Sequence, residues 1–296
     1  MMMIGLRFGL KRVVVKTVTF YRSYSSTKSV WNASTNQKSR LEVLNGLSFR
    51  ERMRRIPVDR GIVTRLEKAK LGRTKDKRSK GDRASMVKST RDKLSEVFSV
   101  KPTCFASCAT SDEFPDENRN KGEIAFAGRS NVGKSSLLNV LTGRSVIAKV
   151  SDKPGETQKI SFYSMPKGFS NLVDMPGYGF SFANDERRKS WTDAMDSYIQ
   201  HRESLKSVCV LVDSRHGMKP VDLEFCERLE NFQRRFQVIL TKGDLLDRKA
   251  LAKMIWYTGE QIREFKYADT FVGALSSRSL GGVEMFRDQV FPAIRR

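Results

Sequence analysis

A chain of 296 residues has room for one domain plus a long extension, or for two small domains. Its formal net charge of +22 is unevenly placed: residues 1–101 hold 26 Lys/Arg against 8 Asp/Glu, a net of +18, and residues 102–296 hold 29 against 25, a net of +4. The basic excess therefore sits in an appendage rather than in the body. Four cysteines in a chain of this length with no secretory signal exclude a disulfide scaffold, and two histidines, His201 and His216, give no basis for histidine metal or triad chemistry.

The appendage opens with Met1 to Leu41, which contains no acidic residue. Arg7, Lys11, Arg12, Lys16 and Arg22 alternate with Phe8, Leu10, Val13 to Val15 and Phe20, and a Ser/Thr-rich stretch follows. That composition reads as a mitochondrial transit peptide over residues 1–41, and Arg22-Ser23-Tyr24-Ser25 resembles a matrix-protease site, with cleavage near residue 24. A basic tail without a targeting role is the other reading. Charges interrupt every apolar run, and none reaches the ~18 residues that cross a bilayer, so no transmembrane segment is expected. The mitochondrial matrix is the expected location.

Residues 42–113 are read as a basic linker or extension. RERMRR at 50–55 and the Lys/Arg-dense stretch from Arg65 to Arg83 leave few large apolar side chains to offset chain entropy, so disorder with transient helix is expected. Such a segment either neutralises RNA phosphates without sequence preference or serves as a solvated linker. Cys104 and Cys108 lack a second pair at zinc-ligand spacing, and Cys209, in an apolar run, reads as a core residue.

From residue 114 to 296 apolar runs alternate with helical patterns, which predicts an α/β domain of three layers with a mainly parallel six-stranded sheet. Strands are expected at 123–127, 159–164, 171–174, 207–213, 236–241 and 269–274, and helices at 134–142, 186–204, 220–231, 248–264 and 281–289. In the second helix Trp191, Met195, Tyr198 and Leu205 recur near helical spacing, a stripe that predicts packing on the sheet.

Between the first strand and the first helix lies Gly128-Arg129-Ser130-Asn131-Val132-Gly133-Lys134-Ser135, followed by Ser136. This is the phosphate-cradling GxxxxGK[ST] pattern in its strand–loop–helix context. Its backbone N–H groups can close on phosphate oxygens, Lys134 can place a charge on the terminal phosphates, and the Ser135 hydroxyl can ligate Mg²⁺. The second signal is Asp174-Met175-Pro176-Gly177, 46 positions after Gly128 and directly after a strand. An aspartate there is placed to hold Mg²⁺ through water, and Gly177 lets a backbone N–H approach the γ-phosphate.

The third signal, Thr241-Lys242-Gly243-Asp244, closes an apolar strand. A carboxylate at Asp244 accepts from the ring N–H and the 2-amino group of guanine, while the Lys242 stem lies along the base. Adenine offers neither donor, and the unpaired charge would cost about 1–3 kcal/mol or more. GTP or GDP is thus the expected ligand, with Ser276 and Ser277 supplying backbone N–H groups to the guanine keto oxygen. In the loop Pro154-Gly155-Glu156-Thr157-Gln158, Thr157 is the candidate to ligate Mg²⁺ and sense the γ-phosphate, ahead of Ser151 and Ser161.

AFAGRSNVGKSSLLN, the PGxTQ loop, LVDMPGYGF, VLVDSRHGMK, LTKGD and the closing SS together resemble the EngB (YihA/YsxC) family of GTPases over about residues 114–293. The resemblance implies a single GTPase domain, GTP and Mg²⁺ as ligands, and a role in assembling the large ribosomal subunit. With the transit-like leader, a mitochondrial large-subunit precursor or its ribosomal RNA is the implied partner, bound by a monomer. A guanine-nucleotide-controlled module that binds RNA or a membrane surface, with incidental hydrolysis, is the alternative. Glu156 departs from the basic residue usual in the family's loop.

Many GTPases orient the attacking water with a glutamine after the DxxG glycine, where this chain has Tyr178, followed by Gly179 and Phe180. Slow hydrolysis in isolation is expected. In related GTPases the asparagine of GxxNxGKS helps hold potassium at the γ-phosphate, which makes Asn131, with Lys134 and Thr157, a candidate for catalytic assistance. A purely structural role for Asn131 in the loop turn is the other reading. Arg215 and His216, following Asp213, read as a docking or structural feature.

Overall fold

The computed structural model describes residues 41, 44, 46–73, 102–117, 121–143, 159–166, 169–179, 185–269 and 271–290, and of residues 185–190 and 289 the backbone only. The expected transit peptide, apart from Leu41, lies outside the described residues, as do Ser151, Glu156, Thr157 and Phe180.

The strands are β1 (Thr103–Cys108), β2 (Glu123–Gly128), β3 (Ile160–Ser164), β4 (Asn171–Asp174), β5 (Leu205–Asp213), β6 (Phe236–Thr241) and β7 (Gly273–Ala274). The helices are α1 (Phe49–Arg55), α2 (Arg60–Lys68), α3 (Lys134–Leu141), α4 (Asp185–His201), α5 (Pro220–Asn231), α6 (Arg248–Ile262) and α7 (Val283–Val290). One sheet runs in the order β1-β3-β4-β2-β5-β6-β7. The five strands from β4 to β7 are parallel, while β3 is antiparallel to β4 and β1 to β3.

Both faces of the central strands are buried, and side-chain alternation sorts them. Ala125, Ala127, Val208, Val210, Val212, Val238 and Leu240 face one core, built with Met195, Tyr198 and Ile199 of α4, Phe225 and Leu229 of α5, and Leu251 and Ile255 of α6. Ile124, Phe126, Cys209, Leu211 and Ile239 face the other, closed by Leu137 and Leu138 of α3 and Val283 and Phe286 of α7. The expected stripe on α4 does pack on the sheet through Met195 and Tyr198, and Cys209 is a buried free thiol. No helix among the described residues is long and apolar enough to cross a membrane.

Two expectations are corrected. The sheet has seven strands rather than six, because β1 pairs with β3 from Thr103↔Ser164 to Cys108↔Ile160. Its side chains are mostly exposed, with Phe105 at 47%, so the strand carries little of the apolar signal that marks its partners. The boundary at residue 114 therefore falls too late, and Cys104 and Cys108 are free strand residues.

The second correction concerns 42–113, which is not all linker. Ser48 and Glu51 form a reciprocal capping box that starts α1, and the Asp59 carboxylate caps α2 by accepting from the Ile62 N–H at 3.0 Å. Leu44, Ile56, Ile62, Leu66, Ala69 and Leu71 are buried in the same core as the sheet. Arg52 donates to the Tyr257 hydroxyl at 3.0 Å, and Lys253 to the Met53 carbonyl at 2.7 Å, fastening this arm to α6. A few apolar residues at helical spacing suffice because the domain supplies the opposite wall.

Candidate functional site

The three sequence signals converge at the carboxyl ends of parallel strands, where open α/β sheets collect their ligands. Gly128 ends β2, Asp174 ends β4, Asp213 ends β5 and Thr241 ends β6.

At the phosphate end, the loop from Gly128 turns into α3 through Gly133, whose φ of 98° is left-handed backbone that favours glycine. Gly128 packs so closely on β5 that an added Cβ would lie 2.8 Å from the Leu211 carbonyl oxygen. A helix that starts directly behind such a loop has first-turn N–H groups without partners in the helix, the arrangement that binds anions. Lys134 and Asp174 are both buried there, with Lys134 Nζ 2.6 Å from Asp174 Oδ1. Burial pushes the Asp174 carboxyl above the usual carboxylate range, and the Lys134 ammonium pulls it back. Ser135 and Ser136 are half-buried in the first turn of α3, and Gly177 approaches the loop closely, an added Cβ falling 2.7 Å from Ser130 Oγ.

At the base end, Asp244 is half-buried and its Oδ1 accepts from Ser276 Oγ at 2.6 Å. This corrects the expected role of Ser276. Its N–H donates to the Gly281 carbonyl at 2.9 Å and is committed inside the loop, so the residue acts on the site through its hydroxyl. Ser277 follows it, half-buried. Thr241, expected with Lys242 and Asp244 to be a nucleotide-binding residue, is 2% exposed, and its hydroxyl lies 2.6 Å from the Val132 carbonyl and 3.2 Å from that of Val212. It ties β6 to the phosphate loop rather than reaching a ligand.

Lys242 joins the two ends. Its left-handed backbone, with φ of 55°, turns the chain out of β6, and its ammonium donates to the Asn131 carbonyl at 2.5 Å and pairs with Asp213 Oδ2 at 3.0 Å. Asn131 is itself left-handed, φ 59°, with its side chain exposed at the loop apex. Such non-glycine residues persist where surrounding bonds over-determine them, and they cluster at functional sites. Arg215 grips Asp213 with Nη2–Oδ2 of 2.7 Å and Nε–Oδ1 of 3.0 Å. Burial alone would raise the Asp213 carboxyl, but the Arg215 guanidinium and N–H and the Lys242 ammonium hold it well below the usual range. The Asp213–Arg215 feature is thus a brace for Lys242.

Tyr178 is turned to the outer helix α5. Its hydroxyl donates to Asp222 Oδ1 at 3.0 Å, and its ring stacks on Phe225 at 4.5 Å. Burial, then the Asp222 carboxylate, pushes the phenol well above its ordinary range, so it remains a donor at neutral pH. Asp222, fully buried, also accepts from the Lys219 N–H at 2.8 Å and pairs with Arg129 Nε at 3.3 Å. One carboxylate therefore links the phosphate loop, the segment after Asp174 and the start of α5. A cavity of about 190 Å³ opens beside it, between α4 and α5, lined by Gly177, Tyr178, Trp191, Met195, Phe225 and Arg228. The sequence reading missed Asp222, whose one visible signal is an acid two residues after Pro220 at a helix start.

A family profile described as "50S ribosome-binding GTPase" matches residues 123–242. The chain is 45% identical over 166 residues to the probable GTP-binding protein EngB of Bradyrhizobium diazoefficiens, covering 56% of this chain and 76% of that protein. It is 37% identical over 214 residues to the probable GTP-binding protein EngB of Chelativorans sp., covering 69% of this chain and 94% of that one. A crystal structure of a probable GTP-binding protein EngB superposes with a TM-score of 0.47 at 26% identity, covering 58% of this chain and 97% of the other. With the phosphate loop, the DxxG aspartate and the guanine-type aspartate gathered at one edge of the sheet, the chain belongs to the EngB family and is a GTP-binding GTPase.

Proposed function

We propose that this GTPase assists assembly of the large ribosomal subunit of mitochondria, docking on a precursor or its RNA in the GTP form and leaving on hydrolysis. The observation that carries the reading is the Asp222 junction, through which the phosphate loop and the segment after Asp174 share one carboxylate with an outer helix. A change at the γ-phosphate then has a route to the surface between α4 and α5. The family profile's description and the acid-free leader support ribosome and mitochondrial matrix, respectively.

The donor set fits Mg²⁺, since the Ser135 hydroxyl and the Asp174 carboxylate are hard oxygen ligands beside a phosphate cradle, with Thr157 the proposed third. The ion would neutralise charge on the β- and γ-phosphate oxygens. Lys134, held among the described residues by its bond to Asp174, can turn to the phosphates when they arrive. The loop N–H groups from Ser130 to Ser136 orient the chain of phosphates for attack by water, and Asp244 orients the base. Tyr178, committed to Asp222, leaves the water unoriented, which supports slow hydrolysis in isolation. The exposed Asn131 is proposed to hold potassium near the γ-phosphate; equal rates in potassium and sodium without ribosomes would remove that part.

The exposed Arg50, Arg54, Arg60, Lys68 and Lys70 of the arm favour contact with RNA phosphates and keep an RNA-binding module as the second reading. Sedimentation of mitochondrial extract with GTP, GDP or a non-hydrolysable analogue separates the two. Co-migration with large-subunit precursors in the triphosphate state alone is expected; indifference to nucleotide would sink the assembly role.

A further inference from the structure

The arm ahead of the GTPase core ends in a short segment, Ala69 to Arg73, threaded between the two loops that form the base end of the site. Its backbone is stitched to both. The Gly282 N–H donates to the Ala69 carbonyl at 3.1 Å, the Arg73 N–H to the Leu246 carbonyl at 2.5 Å, and Arg248 Nε to the Leu71 carbonyl at 3.3 Å. Arg248 also pairs with Glu67 of α2 at 3.3 Å.

The side chain at the centre of this segment is Leu71, with no exposed surface. A Cβ added to Gly243 would lie 3.2 Å from a Leu71 methyl, and Cβ atoms added to Gly281 and Gly282 would lie 3.1 and 2.8 Å from Leu71 carbons. Leu71 therefore rests on the bare backbone of three glycines at once. Gly243 immediately precedes Asp244 and donates to the Leu275 carbonyl at 3.0 Å, and the Gly281 carbonyl receives the Ser276 N–H. The two loops meet at the Ser276–Asp244 hydrogen bond.

We propose that Leu71 is a positioning residue for guanine recognition, a plug from the N-terminal arm that holds the Asp244 loop and the Ser276 loop in register. It acts through the backbones of Gly243, Gly281 and Gly282 that it packs against. Glycine backbones on both sides have wide conformational freedom, and one side chain filling the space behind them removes it before the ligand arrives. Truncation would leave a cavity at the junction, into which either loop can relax, separating Asp244 from Ser276. The inference rests on guanine-nucleotide binding by this site.

The test compares Leu71→Ala with Ile62→Ala, a truncation of a buried residue within α2, in the full chain. Dissociation constants for GDP and IDP are measured well below the lower melting temperature. IDP lacks the 2-amino group that Asp244 reads, so it reports phosphate and ring contacts with less dependence on that carboxylate. Leu71→Ala is expected to weaken GDP about tenfold and IDP by less, narrowing the GDP/IDP ratio, with Leu71→Met restoring it. Ile62→Ala is expected to lower the melting temperature and leave the ratio alone. Should Leu71→Ala fail to fold, Leu71→Val carries the same comparison. Equal loss for both nucleotides, an unchanged ratio, or the same narrowing in Ile62→Ala would overturn the proposal. Failure of the unmodified chain to prefer GDP over ADP would instead overturn the guanine reading beneath it.

Discussion

Two buried ion pairs stand at the two ends of β2, and they are built differently. At its start, Glu123 accepts from the Tyr198 hydroxyl at 2.9 Å and from Arg202 through Nη2 at 2.7 Å and Nε at 3.1 Å. Arg202 spends a further N–H on the Pro115 carbonyl at 2.7 Å and lies over the Phe162 ring. Just past its other end, Asp174 is met by Lys134 at 2.6 Å. The first pair uses a rigid fork that meets Glu123 through two nitrogens and a carbonyl through the third, and the second, among the described residues, a flexible stem on one carboxylate oxygen. Forked, multiply bonded pairs hold elements in place, whereas a lysine on a flexible stem leaves the carboxylate able to take other partners. The end of the strand far from the ligand is fixed, and the end near it is poised to rearrange.

The sharpest break in this contrast is expected from Arg202→Met. It leaves Glu123 buried with one donor, and a loss of about 3–5 kcal/mol is expected on thermal or denaturant unfolding. The shift in Tm produced by saturating GDP and Mg²⁺ should survive in that variant. Lys134→Met should do the reverse, cancelling most of the nucleotide-induced shift, since a charge-assisted contact of about 1.5–3 kcal/mol is removed from the bound state. If both variants lose the shift equally, the division between a fixed and a working pair is wrong.

A smaller effect is expected at the junction between the ends. Tyr178→Phe keeps the ring on Phe225 and removes one donor from the buried Asp222, at a cost of about 1–2 kcal/mol in stability. GDP affinity should stay within a few-fold. The smallest effect concerns Asp213. Because its carboxyl is depressed in the folded chain, its stabilisation is complete above the unfolded value near ~4 and drains away as pH falls below it. Arg215→Ala raises the folded value toward the unfolded one, so the slope of stability against pH between about 4 and 2 should flatten. An unchanged slope would remove Asp213 from the brace.

The same contrast explains what was legible in the sequence. The phosphate loop, Asp174 and Asp244 were readable because their chemistry demands particular residue types next to strand ends. The central strands were readable because burial on both faces makes them continuous apolar runs, as in Val208 to Val212. β1 was not, since an antiparallel edge strand with exposed side chains has no such run. The arm was missed because Ile56, Ile62, Leu66 and Leu71 are too few to make a core alone and gain one only against α6 and the base loops. The Tyr178–Asp222 bond, the internal commitment of Thr241 and the bond of the Ser276 hydroxyl to Asp244 depend on contacts across 44, 109 and 32 positions of chain, which no local pattern encodes.

The central claim, that this edge of the sheet reads guanine through Asp244, is tested most directly by competition for a fluorescent GDP analogue. GDP should displace it and ADP should fail even at about a hundredfold higher concentration, and Asp244→Asn should weaken GDP at least tenfold, corresponding to a loss of about 1.4 kcal/mol or more. Displacement by ADP at concentrations comparable to GDP, or an Asp244→Asn chain that binds GDP as tightly as the original, would contradict it.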